Sequence, residues 1–229
     1  MKTKLFTAML MVLSITACKK EIKLEVKQIK ETDKTTEWNI TTNRPVFSAT
    51  EIEIEIEKSC VKINDEITGL VNGIKAAFQE QAKEQNTSLD SIGQKQAAPY
   101  ELFITDSVFL ADKNYISILM SAYEMLGGAN GITNFYGINY NVKTQKFLDK
   151  KDILNYEKAS DINALLKNNL KDPDKCYTFE APTIDNCTAL NFTLHTVEFT
   201  YAKYILGPGA CGPVTISIPR AKMQGMLKL

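Results

Sequence analysis

Apolar and polar residues alternate along much of the chain, which is the pattern of half-buried β-strands. The clearest case is "EIEIEIE", Glu51 to Glu57, in which three isoleucines alternate with four glutamates. We predict an antiparallel strand there, with its isoleucines facing the core and its glutamates facing water. Similar patterns predict strands at 21–30, 36–43, 100–111, 114–126, 132–142, 176–179, 190–194, 196–206 and 214–219.

Two stretches have the period of a helix instead. After Cys60, apolar residues recur at steps of three and four up to Phe78, which predicts an amphipathic helix running to about Lys83. A polar connector follows at 85–99, and Lys158–Leu170 predicts a second helix.

The order of these elements predicts an α+β fold, in which a mainly antiparallel sheet has two main helices packed on it. We expect a single domain at 22–229, with an N-terminal part at about 22–155 and a C-terminal part at about 156–229. Apolar residues make up 44% of the chain, which is enough for a globular core.

The N-terminus predicts export. Two lysines precede the mostly apolar run Leu5–Ile15, which is too short to span a bilayer and is typical of a secretory signal. The run ends in "ITAC", Ile15 to Cys18, which resembles a bacterial lipobox. The resemblance implies that residues 1–17 are a lipoprotein signal peptide, that the Cys18 thiol carries lipid, and that 18–21 form a short tether. The alternative is an ordinary cleaved signal followed by an incidental cysteine.

Several acyl chains on one residue give stable anchoring, so the membrane is an expected partner through the N-terminal lipid. Lys19 and Lys20, rather than an aspartate, follow the lipobox. We expect a lipoprotein of a Gram-negative cell envelope, held in the cell membrane or outer membrane and facing the periplasm or the exterior.

The charge of the mature chain is nearly balanced. Residues 1–17 contain two of the 27 basic residues and no acidic residue, so their removal leaves 212 residues with 25 basic and 27 acidic side chains, a net charge of −2. No global field would attract nucleic acid, and we expect no nucleic-acid partner.

Four cysteines remain besides Cys18, and an even number in an exported protein favours two disulfides. The candidates are Cys60, Cys176, Cys187 and Cys211. We favour a short Cys176–Cys187 loop and a long-range Cys60–Cys211 bridge, although four cysteines allow three pairings. A metal site is less favoured, because no two of them have a CxxC spacing.

The single histidine, His195, limits the catalytic chemistry. It lies where the apolar alternation changes parity, which predicts an exposed hairpin corner. The sequence has no GxSxG or Walker motif, and its glycine-rich stretch at 205–213 precedes a predicted strand and not the helix of a nucleotide-binding loop, so we predict no catalytic residues, no metal and no cofactor. A pair of convergent carboxylates remains an open alternative, because 27 acidic residues are available.

Two glycine-rich stretches interrupt the predicted strands. "GGANG" holds Gly127, Gly128, Asn130 and Gly131, which form a loop needing positive φ angles and are a candidate binding loop. "ILGPGACGP", Ile205 to Pro213, precedes another strand rather than a helix. It is therefore predicted to be a corner in a sheet and not a phosphate loop.

The C-terminal half resembles a known family. "YEMLGGANGITNFYGINYNVKTQKFLDKKDIL" begins at Tyr123, and "LNFTLHTVEFTYAKYILGPGACGPVTISIPRAKMQGML" follows a predicted helix. Together they resemble the domain of unknown function shared with the extracellular part of RsiV-type anti-sigma factors. They also resemble the accessory N-terminal region of PdaC-type polysaccharide deacetylases. The resemblance covers about 39–229.

The matches to the family pattern lie in three blocks. Gly127, Gly128 and Ala129 match its "GGAH" loop, with Asn130 in place of the histidine. A second block matches loosely at Asn141, Thr144, Lys146, Leu148, Asp152 and Leu154. The closing hairpin matches at Phe199, Tyr201, Tyr204, Gly212 and Pro213, with Cys211 where alanine or serine is commoner.

The resemblance implies a non-catalytic binding or sensing domain, because the domain binds lysozyme in RsiV-type proteins. We therefore expect a lipid-anchored envelope domain whose ligand is a lysozyme-like protein or a cell-wall glycan such as peptidoglycan. The alternatives are a glycan hydrolase with paired carboxylates and a structural lipoprotein without a ligand.

Overall fold

The computed structural model describes residues 24–50, 54–128 and 130–229. The strands in these ranges are β1 (Leu24–Lys34), β2 (Trp38–Ala49), β3 (Tyr100–Ala111), β4 (Tyr115–Met125), β5 (Ile132–Asn141), β6 (Lys146–Phe147), β7 (Ala189–Phe192), β8 (Thr196–Tyr201) and β9 (Val214–Pro219). The α-helices are α1 (Ile54–Ser91), α2 (Lys150–Ile153) and α3 (Ala159–Asn169). The predicted α+β class is confirmed. None of the helices in the described ranges has the length and apolar character needed to cross a membrane.

The large sheet has its strands in the order β1-β2-β3-β4-β5-β6. Neighbouring strands are antiparallel except β2 and β3, which run parallel with Trp38 opposite Tyr100. The exception follows from α1, which lies between β2 and β3 in the chain, since parallel neighbours need a long crossover. The mainly antiparallel sheet is therefore as predicted.

Helix α1 covers one face of the large sheet. Its buried residues recur every three or four positions and include Ile63, Ile67, Val71 and Phe78. They belong to one apolar core with inward side chains of β2 to β5. This stripe keeps α1 helical over 38 residues, because helices in proteins gain most of their stability from such packing.

The strand predicted at Glu51–Glu57 is wrong, because α1 begins at Ile54. Residues 51–53 lie outside the described residues. Ile56 is buried and lies seven residues before the buried Ile63, so it extends the apolar stripe of the helix, whereas Ile54 is exposed. Burial of the long helical stripe, which continues far beyond this segment, therefore outweighs the local period of two.

The second sheet is small, with β7, β8 and β9 in antiparallel order. Residues of α2 and α3 share its apolar core. The strand predicted at 176–179 is wrong. This segment is irregular, and the Asp172 carboxylate accepts hydrogen bonds from the backbone N–H groups of Cys176 (2.7 Å) and Tyr177 (3.1 Å).

A buried polar contact joins the two sheets. Ser117 on β4 donates its hydroxyl to the side chain of Asn139 on β5 at 2.7 Å. The Asn139 amide donates to the carbonyl of Leu190 on β7 at 2.7 Å. Asn191, also on β7, donates to the carbonyl of Ile118 at 2.8 Å. These bonds fix the small sheet against the face of the large sheet that α1 does not cover.

The two ends of the large sheet carry different elements. At the Leu24 end, Leu24 pairs with Ala49. At the Trp38 end, Trp38 pairs with Tyr100, and the chain arrives there from α1. Strand β2 has 12 residues, so the two ends are roughly 36 Å apart at about 3.3 Å per residue.

Candidate functional site

A groove of about 580 Å³ opens at the Trp38 end of the large sheet. Its walls are the last turns of α1, the connector to β3, the start of β3, the end of β4 and the glycine loop after β4. Polar lining residues include Gln85, Gln94, Lys95 and Glu101, and apolar ones include Leu89 and Met125.

The end of α1 forms the first wall. Gly93 has φ +69°, and its N–H donates to the carbonyl of Asp90 at 3.0 Å. The N–H of Gln94 donates to the carbonyl of Leu89 at 2.9 Å. This is a Schellman motif, in which a glycine in the left-handed conformation closes the helix. The helix therefore continues to Ser91, and the polar connector predicted at 85–99 begins later than expected.

Hydrogen bonds to Glu37 hold the connector in place. The Gln96 side chain donates to the carbonyls of Glu37 and Ala98, both at 2.7 Å. The N–H of Tyr100 donates to the same Glu37 carbonyl at 2.9 Å. These bonds fix the connector wall of the groove to the turn between β1 and β2.

The glycine loop forms the opposite wall. Gly127 and Gly128 have the predicted positive φ angles, +89° and +85°, whereas Gly131 does not. A side chain on Gly127 would lie 3.8 Å from the Tyr100 ring. Tyr100 donates its hydroxyl to the Asn86 side chain at 3.0 Å, and burial raises the pKa of this phenol. The hydrogen bond to Asn86 therefore holds the ring between helix and loop.

The candidate loop residues separate in the structure. Gly127 and Gly128 line the groove, whereas Asn130 and Gly131 are not among its lining residues. Gly131 packs so closely on the Tyr123 ring that any side chain there would collide with it. Ala129 of the same loop lies outside the described residues.

The groove offers hydrogen-bonding groups of both kinds. The carboxamides of Gln85 and Gln94 can each donate and accept, and Lys95 adds an ammonium group. Glu101 is the one carboxylate among the described residues that line it. Apolar side chains lie between these groups, as they do in sites for amphipathic ligands. Such a lining suits hydroxyl and amide groups of a neutral ligand.

The cysteine pairing predicted from sequence is wrong. Cys176 bonds to Cys211, with Cα atoms 5.8 Å apart. Cys60 and Cys187 are free and buried. Cys60 packs in the core under α1, and Cys187 packs in the core of the small sheet, so neither is near the other.

Burial also makes the two free thiols poor nucleophiles. It raises the pKa of Cys60, and it raises the pKa of Cys187 to about 11 despite the nearby Lys150 ammonium. Because the thiolate is the reactive form, both thiols are expected to be inert at neutral pH.

The remaining predicted features lie away from the groove. His195 is exposed at the turn between β7 and β8, as predicted. "ILGPGACGP" joins β8 to β9 and carries the disulfide, so it is the predicted corner, and none of its residues lines the groove. Cys18 and the tether lie outside the described residues. Among the described residues, no three His, Cys, Asp or Glu side chains are grouped so that they could hold a metal ion.

The sequence pattern of one protein family, described as deacetylase PdaC, matches residues 16–133. The match spans more than half of the chain. The chain belongs to the PdaC family. The matched range contains every residue that lines the groove, whereas the small sheet and the disulfide lie beyond it. The predicted kinship with PdaC-type proteins is confirmed.

Two solved structures of the DUF3298 family share the fold. One, from Bacteroides fragilis NCTC 9343, is 21% identical over 90% of this chain and 93% of its own, with a TM-score of 0.65. The other, from Pseudomonas aeruginosa PAO1, is 18% identical over 90% and 94%, with a TM-score of 0.57. A comparison with curated proteins found no match.

Sequence reasoning missed most of the groove. It singled out the glycine loop, because consecutive glycines indicate special backbone angles. It missed Gln85 and Leu89, because the polarity of 85–99 predicts a connector where the structure has the last turns of α1. Gly93 was the available signal, since a glycine that follows a helical segment marks where the helix closes.

Proposed function

We propose that the chain is a lipid-anchored, non-catalytic binding domain of the bacterial cell envelope. In this proposal Cys18 carries the lipid, and the groove at the Trp38 end holds a segment of cell-wall glycan. The observation that carries the proposal is the groove itself, whose carboxamides and glycine backbone face the same space as Leu89 and Met125.

The chemistry of a peptidoglycan strand fits this lining. Its sugars present hydroxyl and N-acetyl groups, which hydrogen-bond to carboxamides, and apolar ring faces, which pack against aliphatic side chains. A volume of about 580 Å³ is within the usual range for a small-molecule site and holds a short oligosaccharide. The family description, deacetylase PdaC, and the resemblance to polysaccharide deacetylases support a glycan ligand.

The soluble chain starting at residue 19 can be titrated with muropeptides and with N-acetylglucosamine oligomers by calorimetry. We expect binding in the micromolar range, weakened about tenfold by Gln85→Ala, which removes a hydrogen bond worth about 1.4 kcal/mol. Gln81→Ala is the matched control, because Gln81 is exposed one turn earlier on α1 and does not line the groove. Equal affinities for the two variants would contradict the groove as the site.

The same protein titrated with lysozyme tests the other expected ligand. Tight lysozyme binding that Gln85→Ala leaves unchanged, without glycan binding, would replace the glycan by a protein ligand on another surface.

The rival hydrolase would need two carboxylates about 5–10 Å apart across a bound sugar. Incubation with purified peptidoglycan, followed by assays for new reducing ends and for acetate, tests it directly. Release of either product, abolished by Glu101→Gln, would overturn the non-catalytic part of the proposal.

A further inference from the structure

The end of the large sheet opposite the groove carries an exposed helix face. Ile54 and Val61 are seven residues apart and so lie on the same side of α1, where their side chains are 64% and 54% exposed. Lys58 and Lys62 lie on this side as well and are exposed. We refer to Ile54, Lys58, Val61 and Lys62 as the Ile54 face. A depression of about 410 Å³ lies along it.

The Ile54 face lies beside the start of β1. Leu24 pairs with Ala49, and Ala49 lines the same cavity as Val61. Leu24, the first described residue, therefore lies near this face. Leu24 is six positions after Cys18, and six steps of extended chain reach about 20 Å. The acyl chains on Cys18, the part of the proposed function on which this inference rests, bring a bilayer within that distance.

Further lysines surround the face. The Lys62 ammonium donates to the backbone carbonyl and the side-chain oxygen of Gln145 at 3.5 and 3.4 Å. Gln145 lies in the turn between β5 and β6, next to the exposed Lys143 of the turn and the exposed Lys146 of β6. The acidic side chains on the same turns of α1 are Glu55, Glu57 and Asp65, of which Glu57 also lines the depression. Exposed apolar residues flanked by lysines are typical of helices that lie at a membrane surface, where the ammonium groups reach the lipid headgroups.

We propose that the Ile54 face rests on the bilayer into which the acyl chains insert, with Ile54 and Val61 entering the headgroup boundary. Helix α1 has 38 residues and is therefore about 57 Å long at 1.5 Å per residue. It holds the groove on the far side of the molecule from the lipid. The groove then faces the cell wall or the exterior and not the membrane.

Fluorescence quenching by lipids tests this orientation. The full chain, purified with its lipid, is placed in phosphatidylethanolamine–phosphatidylglycerol vesicles that carry brominated acyl chains. Trp38→Phe removes the native tryptophan, and Ile54→Trp is added to it. Ile92→Trp is the matched control, because Ile92 is 65% exposed and follows the groove end of α1. We expect brominated lipid to remove most of the emission of the Ile54→Trp variant and to leave that of the Ile92→Trp variant unchanged.

A second measurement needs no substitution in the face. Lysine acetylation of the vesicle-bound wild-type chain is compared, residue by residue, with acetylation of the denatured chain. We expect Lys58 and Lys62 to react several-fold more slowly than Lys95, which is exposed in the groove wall. Equal rates at these three lysines would overturn the proposal.

The outcomes separate this inference from the proposed function. A chain that does not float with vesicles overturns the lipid anchor and this inference with it. A chain that floats but shows equal quenching at both positions overturns only the orientation. If the Ile54→Trp emission resists both brominated lipid and aqueous iodide, the residues before Leu24 cover the face instead, which also overturns it.

Discussion

The two parts of the molecule achieve stability by different means. The large sheet is held by the apolar stripe of α1, and its single cysteine among the described residues, Cys60, is free. The small sheet has shorter strands and a long irregular segment before them, and it carries the disulfide Cys176–Cys211. A continuous helix–sheet core needs no covalent link, whereas a small core with an irregular border gains from one.

The groove lies entirely in the large-sheet part, because every one of its walls belongs to that part. Its shape depends on where α1 ends and on the Glu37 hydrogen bonds of the connector. The disulfide lies in the other part of the molecule. Stability and binding should therefore respond differently to changes in each part.

The largest effect is expected in the core under α1. Phe78 is fully buried, and Phe78→Ala removes its ring contacts and leaves a cavity, at a cost of about 3–5 kcal/mol in the free energy of unfolding. Urea unfolding followed by circular dichroism measures the cost. Val61→Ala on the exposed side of the same helix should change the value by less than about 0.5 kcal/mol. Similar costs for the two variants would mean that the apolar stripe of α1 is not the main source of stability in the large-sheet part.

The second-largest effect on stability is expected from loss of the disulfide. Replacing Cys176 and Cys211 together by alanine releases a closure spanning 35 residues, which costs about 3–4 kcal/mol because the unfolded chain regains loop-closure entropy. Proteolysis should then begin in the irregular segment before β7, while the affinity for the proposed glycan ligand should stay unchanged. A parallel loss of affinity would show that the two parts are not independent.

Thiol titration checks the pairing itself. The denatured, unreduced chain starting at residue 19 should give two free thiols, from Cys60 and Cys187. Before denaturation neither should react at pH 8, since burial raises both pKa values. Zero thiols would indicate a second bridge.

A change in the buried polar contact between the two sheets should have a smaller effect on stability. Asn191→Ala leaves the carbonyl of Ile118 and the hydroxyl of Ser117 without the Asn191 amide as a donor, at a cost of about 1–3 kcal/mol. Asn130→Ala, at an exposed loop position, is the control. If Asn191→Ala produces two separate unfolding transitions, this polar contact is responsible for the cooperative unfolding of the two parts.

The smallest effect concerns Asp106 on β3. Burial raises the pKa of this carboxyl, although Gln28 donates to it at 3.1 Å. The folded state therefore binds the proton more tightly than the unfolded state, and stability falls as pH rises through the interval between the two pKa values.

Asp106→Asn removes the cost of burying an ionised carboxylate. It should raise Tm at pH 7 by less than the ~2–4 °C that 1 kcal/mol gives at this chain length. The gain should vanish below the ordinary pKa of 3.8, where the carboxyl is protonated in both states. A gain that persists at low pH would assign it to packing and not to charge. Thermal unfolding from pH 3 to 8 provides the measurement.

Local patterns in the sequence determined much of the fold. Strands β3, β4 and β5 lie where the alternation predicted them, and the Gly127–Gly128 loop has the predicted positive φ angles. The exposed corner at His195 also follows from a local change of parity. In each case the deciding residues are neighbours in the chain, so their spacing carries the information.

Tertiary contacts decided the rest. The isoleucines before Cys60 alternate as in a strand, yet Ile56 becomes helical because Ile63 and Ile67 continue its buried stripe onto the sheet. Cysteine spacing could not give the pairing, because the tertiary structure brings Cys176 to Cys211 across a sequence separation of 35 residues. The groove is likewise a product of packing, since Gln85 and Gly127 come together only when β3 and β4 pair beneath the end of α1.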